Sequence, residues 1–301
     1  MFIHCDVNCS SLEWRANLEL NRLLRSATGL AWRSVRGPLP AGKGIVLGRP
    51  EAGSAVERLV AEAGLANDLA WAGEQGYIIA SVTAGDHSVV LVAAEEPRGV
   101  LYGAMRLASL AGWRFYLSRE MPPVDTDGEL AAALRSEEGR WPGLRLAQRP
   151  RFAVRGALPW FNFLCGPTSW DEEDWASYID GLARSGANTL GFHVYTGGLE
   201  RYYTYVEPFV RVAAEGVLPE AELDTTATAR WGYRPMATRE FAAGSALCYS
   251  HEVFGSEAAV PKGDLRSRYE RAQRLLGYRD APGKCMGHRY FPRDRGGHRS
   301  A

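Results

Sequence analysis

Three stretches in the first 120 residues carry apolar side chains at helical spacing. Residues 12–24 form an amphipathic pattern that ends at Gly29, a residue type favoured at helix C-termini. Ser54 and Glu57 form a capping box ahead of a second apolar stripe at residues 56–63. A third helix is predicted from Pro97 to the glycine at position 112.

Short β-forming runs lie between these helical patterns. Gly85 lies between two of the runs and predicts a hairpin, because glycine readily adopts the positive φ of a tight turn. The predicted strands cover residues 44–48, 76–83, 88–93 and 113–117. The N-terminal 120 residues therefore read as an α/β domain.

The pattern changes after residue 120. Residues 121–150 show no sustained period and predict a linker that ends near residue 150. Beyond it we predict a strand at 152–163, a helix capped by Ser169 and ending at Gly186, and a strand at 188–195. A strand, a helix and a strand at this spacing predict a right-handed parallel crossover.

The strand predicted at 188–195 has two different faces. Leu190 and Phe192 belong to an apolar face, whereas His193 and Tyr195 belong to the other. In a (β/α) barrel this second face lines the interior and the rim where substrates bind. Both a hydrogen-bonded core position and a ligand-binding position remain open for His193.

Composition and charge exclude several classes. Basic and acidic residues each total 35, so no net field attracts nucleic acid or anionic lipid. The sequence has neither an apolar run long enough for a membrane helix nor a recognisable secretory signal. Its 5 cysteines are an odd number and predict reduced thiols and a cytoplasmic location. The oligomeric state stays open.

No metal or nucleotide cofactor is predicted. The run from His251 to Gly255 starts like a zinc-protease helix but has glycine where the second histidine is needed. The cysteines and other histidines lack a recognised zinc spacing. Gly42-Lys43-Gly44 precedes a strand, which fits neither a P-loop nor a dinucleotide fingerprint.

Four consecutive carboxylates, Asp171 to Asp174, invite an acid–base interpretation. They fall in the first turn of the predicted helix, where the helix dipole and free N–H groups favour negative charge. The structural interpretation is therefore preferred, although a catalytic use of Asp171 or Glu172 stays open.

Aromatic and arginine residues crowd the second half of the chain. Aromatic rings stack on the apolar faces of sugars, while Arg and Asn side chains hydrogen-bond sugar hydroxyls, so this mixture suits a glycan. Core packing is the alternative for each individual ring. The set comprises Trp160, Trp231, Tyr202, Tyr203, Tyr205, Tyr233, Arg201, Arg211 and Arg230.

Two segments carry a family resemblance. Gly76-Tyr77-Ile78-Ile79 and Pro97-Arg98-Gly99-Val100-Leu101-Tyr102-Gly103-Ala104 resemble the zincin-like accessory domain of family 20 β-N-acetylhexosaminidases and of α-glucuronidases. Arg155-Gly156 and the run from Asn188 to His193 resemble the first two strands of their barrels. The resemblance covers roughly residues 40–195 and implies a carbohydrate-active hydrolase in which the accessory domain braces the barrel without zinc.

The resemblance also implies site residues. Arg155 corresponds to an arginine that grips hydroxyls of the terminal sugar, and His193 lies where those enzymes have a histidine near the site. The catalytic Asp-Glu pair of hexosaminidases comes from barrel strand four, so no catalytic residue is assigned here. The candidate substrate-binding residues are Arg155, Trp160, Asn162, His193, Tyr195, Arg230 and Trp231.

The end of the sequence predicts an incomplete barrel. Residues 278–301 contain no Leu, Ile or Val, which a third strand would need after a helix at 265–276. A complete barrel takes about 250 residues. The predicted organisation is an accessory domain at 1–120, a linker at 121–150, a partial barrel at 151–277 and a disordered, non-native-like tail at 278–301.

The sequence therefore predicts a truncated piece of an exo-acting glycoside hydrolase that lacks the catalytic carboxylates and is inactive alone. The sugar, linkage and anomer are not specified. Two alternatives stay open, namely a non-catalytic carbohydrate-binding or scaffold protein and an active enzyme that uses Asp171 or Glu172.

Overall fold

The computed structural model describes residues 1–117, 119–124, 129–138, 140–159 and 172–191, and the backbone of 222–223 and 236–237. The chain divides into two compact units. Unit 1 comprises Met1–Arg155 and Gly181–Ala187, and unit 2 comprises Gly156–Asp180 and Asn188–Ala301. In the described residues no helix is both long and apolar enough to cross a membrane.

The secondary structure of unit 1 alternates strands with helices. Its strands are β1 (Phe2–Cys5), β2 (Arg33–Arg36), β3 (Gly42–Gly48), β4 (Tyr77–Ala84), β5 (His87–Ala93), β6 (Arg114–Phe115), β7 (Glu120–Met121) and β8 (Arg145–Gln148). Its helices are α1 (Ser11–Thr28), α2 (Ala55–Glu62), α3 (Ala66–Ala72), α4 (Pro97–Leu110) and α5 (Glu129–Leu134).

A mixed sheet forms the centre of unit 1. Its strand order is β2-β1-β3-β5-β4-β8. Strands β2, β1, β3 and β5 are parallel, whereas β4 runs antiparallel to both β5 and β8. The predicted α/β class is therefore confirmed at this level.

The two faces of the sheet carry different helices. Side chains of α2 and α3 pack in one core cluster with alternate residues of β3 and β5, including Val46, Val89 and Leu91. Val92 has the opposite orientation and lies against α4, as the two-residue strand period requires. Helices on both faces bury the last five residues of β3 and of β5, which explains the nearly continuous apolar sequence there.

Helix α1 begins and ends where the sequence indicates. Ser10 accepts a hydrogen bond from the Glu13 N–H, and the Glu13 carboxylate accepts one from the Ser10 N–H at 2.7 Å. Gly29 closes the helix with φ of 71°, and its N–H donates to the Arg25 carbonyl. These contacts satisfy backbone groups that a helix end otherwise leaves unpaired.

Two glycines let α4 lie unusually close to the sheet. A Cβ on Gly99 would stand 2.2 Å from the Gly76 carbonyl oxygen, and one on Gly103 would stand 2.4 Å from a Val92 methyl group. Both distances are far shorter than any tolerated contact. The glycines of the Pro97–Leu110 segment are therefore explained by helix–sheet packing.

Residues 121–150, predicted as a linker, contain part of the sheet. Strand β8 pairs with β4 in antiparallel register, with Ile79 opposite Leu146. As an edge strand it contacts one neighbour and needs few apolar residues, so its periodicity is weak. The strand predicted at 113–117 is also shorter than expected. Only β6 forms in this range, and it pairs with β7.

A short parallel strand pair lies where the crossover was predicted, and of the described residues in the strand predicted at 152–163 only two form a strand. Strand β9 (Gly156–Ala157) pairs in parallel with β10 (Thr189–Leu190), and α6 (Glu172–Arg184) connects them. Trp175 and Ile179 are buried and pack with Leu190. A further pair, β11 (Glu222–Leu223) and β12 (Met236–Ala237), is antiparallel.

The described part of the acidic run, Glu172 to Asp174, lies in the first turn of a helix, as predicted. Helix α6 begins at Glu172, and Glu173 and Asp174 are exposed in its first turn. The predictions for Ser169, for residues 192–195, for the helix at 265–276 and for the tail at 278–301 lie outside the described residues.

Candidate functional site

Of the seven residues that the sequence predicts for a sugar site, Arg155 lies within the described residues. Its Nε donates a hydrogen bond to the Gly186 carbonyl at 2.8 Å, and its Nη1 donates to the Phe152 carbonyl at 2.7 Å. Its guanidinium carbon lies 5.4 Å from the centre of the Tyr102 ring, within cation–π range. Arg155 thereby joins the segment before β9 to helix α4 and to the turn after α6, all within unit 1.

Tyr102 supports this arrangement from helix α4. Its ring is buried, and its hydroxyl donates a hydrogen bond to the Ala187 carbonyl at 3.1 Å. Burial raises the pKa of Tyr102, although the charge of Arg155 opposes the shift. The hydroxyl therefore stays protonated at neutral pH and remains a donor.

Replacing Tyr102 by phenylalanine tests this bond, since it keeps the ring under Arg155 and removes the donor. We expect Tyr102→Phe to lower the free energy of unfolding of unit 1 by about 1 kcal/mol, the usual net value of one hydrogen bond. Urea denaturation of the full chain measures this change in the free energy of unfolding. Tyr116→Phe is the matched control, because Tyr116 is 52% exposed. Equal stabilities of both variants would show that the bond to Ala187 contributes nothing.

A cavity of about 850 Å³ lies beside Arg155 and Tyr102. All of its described lining residues belong to unit 1. They include the arginines at 106, 114, 149, 151, 155 and 184 and the rings of Tyr77, Tyr102, Trp113 and Phe115, whereas none of the described lining residues is Asp or Glu. The cavity is therefore rich in cationic and aromatic groups.

A second depression of about 670 Å³ adjoins the first. The two share Gln75 and the chain segment that carries Arg149, Arg151 and Arg155. Trp71 and Phe152 line the second depression and are 57% and 65% exposed. Aromatic surface is therefore available beside the arginine-rich cavity.

One wall of the cavity is fixed by an ion-pair network. Arg184 Nε lies 2.9 Å from Glu19 Oε1 and 3.7 Å from Glu120 Oε2. Arg22 donates to both carboxylates, at 2.7 Å to Glu19 and 2.5 Å to Glu120. Burial alone would raise the pKa of Glu19, but the bonds from Arg22 and the charge of Arg184 outweigh it and lower that pKa. The network ties the end of α6 to α1 and to β7.

The structure brings one of the seven predicted sugar-binding residues, Arg155, into the cavity. The other six, namely Trp160, Asn162, His193, Tyr195, Arg230 and Trp231, lie outside the described residues. Sequence reasoning did not select Arg149 and Arg151, because Arg149 lies within the segment interpreted as a linker and Arg151 directly follows that segment. It also missed the role of Tyr102, although the segment that resembles the accessory domain contains this residue.

The described residues offer no metal centre. No group of three or more His, Cys, Asp or Glu side chains in the described ranges is arranged to hold a metal ion. Cys5 and Cys9 are free and buried beside the N-terminus of α1. Burial is the main cause that lowers the pKa of His4, whose Nε2 lies 2.7 Å from the Gly37 carbonyl oxygen.

Comparison with protein families gives a match in unit 1. The model of the glycosyl hydrolase family 67 N-terminus matches residues 8–107. This range contains the Pro97 segment and confirms that the chain resembles a glycoside hydrolase. No curated protein sequence matches the chain.

Three solved structures to which the chain is similar are those of glycoside hydrolases. A family GH115 4-O-methyl-α-glucuronidase with specificity for decorated arabinogalactans is 17% identical, with a TM-score of 0.47, over 67% of this chain and 26% of its own. The GH20 β-N-acetylhexosaminidase of Streptomyces coelicolor A3(2) is 19% identical, with a TM-score of 0.38, over 68% and 32%. A β-hexosaminidase of Streptomyces plicatus in complex with the product GlcNAc is 20% identical, with a TM-score of 0.37, over 68% and 31%. The chain thus spans about a quarter to a third of these structures.

Proposed function

We propose that this chain carries the accessory domain and the opening of the catalytic barrel of an exo-acting glycoside hydrolase. In this proposal unit 1 is the zincin-like accessory domain. Strand β9, helix α6 and strand β10 are the first strand–helix–strand unit of a (β/α)8 barrel, which has parallel strands connected by helices.

The observation that carries the proposal is the family match at residues 8–107, followed along the chain by a parallel crossover. Accessory domain and barrel occur in this order in the hydrolases that the sequence resembles. Gly156 adds support, because a Cβ there would stand 2.1 Å from the Thr189 carbonyl oxygen. Gly156 thus allows β9 and β10 to approach closely, and Arg155 places a polar side chain next to this contact.

The proposed sugar site begins at Arg155. Its guanidinium hydrogen-bonds hydroxyls of the terminal sugar, as the resemblance implies, and aromatic residues stack on the ring. The proposal assigns the remaining contacts to Trp160, Asn162, His193, Tyr195, Arg230 and Trp231.

The proposed chemistry needs carboxylates that this cavity does not supply. Glycoside hydrolysis generally uses a general acid together with a nucleophile or a base. Among the described lining residues no Asp or Glu is present, and Glu173 and Asp174 are exposed at the start of α6. We therefore propose that the chain alone binds sugar without hydrolysing it.

Calorimetric titration of the full chain with N-acetylglucosamine and with glucuronate tests the sugar site. We expect millimolar or tighter binding of at least one sugar and at least a tenfold loss in Arg155→Lys, which keeps the charge but loses the planar guanidinium. Arg58→Lys is the control, because Arg58 is exposed on α2 and does not line the cavity. Binding that Arg155→Lys leaves unchanged would contradict the assignment, as would no binding of either sugar.

Release of aryl alcohol from aryl hexosaminides and glucuronides tests catalysis by the same chain. We expect no release above the buffer rate. Release that is abolished in Asp171→Asn or Glu172→Gln would overturn the proposed inactivity and favour the alternative acid–base role of these residues.

A further inference from the structure

We propose that the arginine-rich cavity of unit 1 binds an acidic oligosaccharide, at a site built by the accessory domain. The inference rests on the proposed function, since it names a glycan class for a protein proposed to act on glycans. It is carried by three arginines that have no ion pair among the described residues and by the aromatic surface that adjoins them.

The arginines of the cavity fall into two groups. Arg184 pairs with Glu19, while Arg155 and Arg114 donate to backbone carbonyls. The second group comprises Arg106, Arg149 and Arg151. They are exposed, and no described carboxylate lies within ion-pair distance of them.

This second group creates a local positive field in a chain of formal net charge +0. Like charges that face one cavity repel each other, and an anion that enters it relieves this repulsion. Guanidinium groups bind carboxylate and sulfate through paired N–H donors, a geometry that a lysine cannot reproduce. The cavity therefore selects an anion with several acceptor oxygens.

The aromatic surface narrows the choice of ligand further. Trp71 and Phe152 are exposed in the adjoining depression, which shares Arg149 and Arg151 with the cavity and is also lined by the exposed Glu74. Rings at this position stack on the apolar faces of sugars, whereas a simple inorganic anion would leave them unused. A chain of acidic sugars supplies both the charges and the flat apolar faces.

Nucleic acid also combines anions with flat rings, but it fits the observations less well. Sequence-independent binding to a phosphate backbone depends on many Lys or Arg contacts, each of which releases counterions from the nucleic acid, so three arginines supply little of this affinity at physiological salt. The three arginines of the second group all line this one cavity instead of extending as a basic stripe along the surface. An acidic oligosaccharide is therefore the proposed ligand, and a single-stranded DNA probe tests the nucleic-acid alternative.

The test compares four probes on the full chain by calorimetry. They are a uronate hexasaccharide, a sulfated hexasaccharide, a neutral hexasaccharide and a single-stranded DNA hexamer. We expect the uronate or the sulfated probe to bind at least tenfold more tightly than the neutral one, and binding to weaken with added salt. The stronger of these two probes identifies the anionic group. No binding of either, or tighter binding of the DNA, would overturn the inference.

Variants locate the site. Arg149→Gln with Arg151→Gln is expected to weaken binding of the acidic probe at least tenfold, and Trp71→Ala at least threefold. Arg58→Gln is the matched control, because it removes one exposed arginine away from the cavity. An equal loss in the control would show that binding is non-specific and would overturn the assignment. Circular dichroism of each variant verifies that it is folded.

The outcome is separable from the proposed function. Loss of acidic-probe binding in the double variant with retained binding of N-acetylglucosamine supports contacts to the acidic chain at Arg149 and Arg151 that differ from the proposed sugar contact at Arg155. If neither acidic probe binds while monosaccharides do bind, the proposed acidic-oligosaccharide site is overturned and the proposed sugar site is not affected. If monosaccharides fail while an acidic probe binds, the cavity stands as an anion site and the proposed sugar site at Arg155 is contradicted.

Discussion

Gly99→Ala is expected to destabilise unit 1 by about 3 kcal/mol or more, at the upper end of what overpacking costs. The added methyl group would stand 2.2 Å from the Gly76 carbonyl oxygen and 2.6 Å from Cβ of Ala94. The nearest atom belongs to the backbone, so no side-chain rotation relieves the clash. Helix α4 must move away from the sheet or unfold.

Urea denaturation followed by near-ultraviolet circular dichroism measures this effect. Gly143→Ala is the matched control, because a Cβ at Gly143 meets nothing within 4 Å. We expect the control to remain within about 0.5 kcal/mol of the parent chain, as is usual for surface substitutions. A Gly99→Ala protein as stable as this control would refute the close-packing explanation of the glycine.

Glu19→Gln is expected to cost about 2 kcal/mol, because it removes the charge that Arg22 and Arg184 share. We place the value below that of a fully buried pair, since the Glu19 and Arg184 side chains remain 13% and 17% exposed. The loss should loosen the end of α6 from α1. Glu62→Gln is the control, because Glu62 is exposed at the end of α2.

The acid dependence of stability gives a second measurement of the same network. The folded-state pKa of Glu19 is lowered from its usual value of 4.5. The ionised carboxylate therefore stabilises the fold above pH 4.5, and this contribution is lost as pH falls through the lowered pKa. We expect the parent chain to lose more stability than Glu19→Gln as the pH is lowered from about 5 to 3. Parallel pH profiles would contradict this assignment.

Elements with strong local signals could be predicted from the sequence. The Ser10–Glu13 box and Gly29 bound α1, and Gly85 marks the β4–β5 hairpin with φ of 58°. These features depend on residues within a few positions of each other. Local chemistry therefore sufficed for them.

Three strands that depend on distant partners and lack a distinctive local pattern, β1, β2 and β8, could not be predicted. Strand β8 has only two apolar residues, Leu146 and Ala147, and exists because the edge of β4 is available to it. Strand β2 is likewise a short edge strand with an arginine at each end. Strand β1 is buried along its whole length, which leaves no alternation to detect.

The candidate site was predictable only in part. A resemblance indicated Arg155, but the cavity around it assembles residues from α4, from the segment after β8 and from the end of α6. Arg106 and Arg151 are 45 positions apart in the sequence, and no local pattern links them. Which charges remain unpaired depends on this three-dimensional arrangement.

The late position of β8 in the chain has a consequence for synthesis. Until residue 148 has left the ribosome, the outer edge of β4 is an unpaired template with Tyr77, Ile78 and Ile79 along it. A nascent chain that pauses before this point is therefore vulnerable to intermolecular strand pairing. The same holds for a polypeptide cut after position 120, where the hydropathy pattern alone would end the domain.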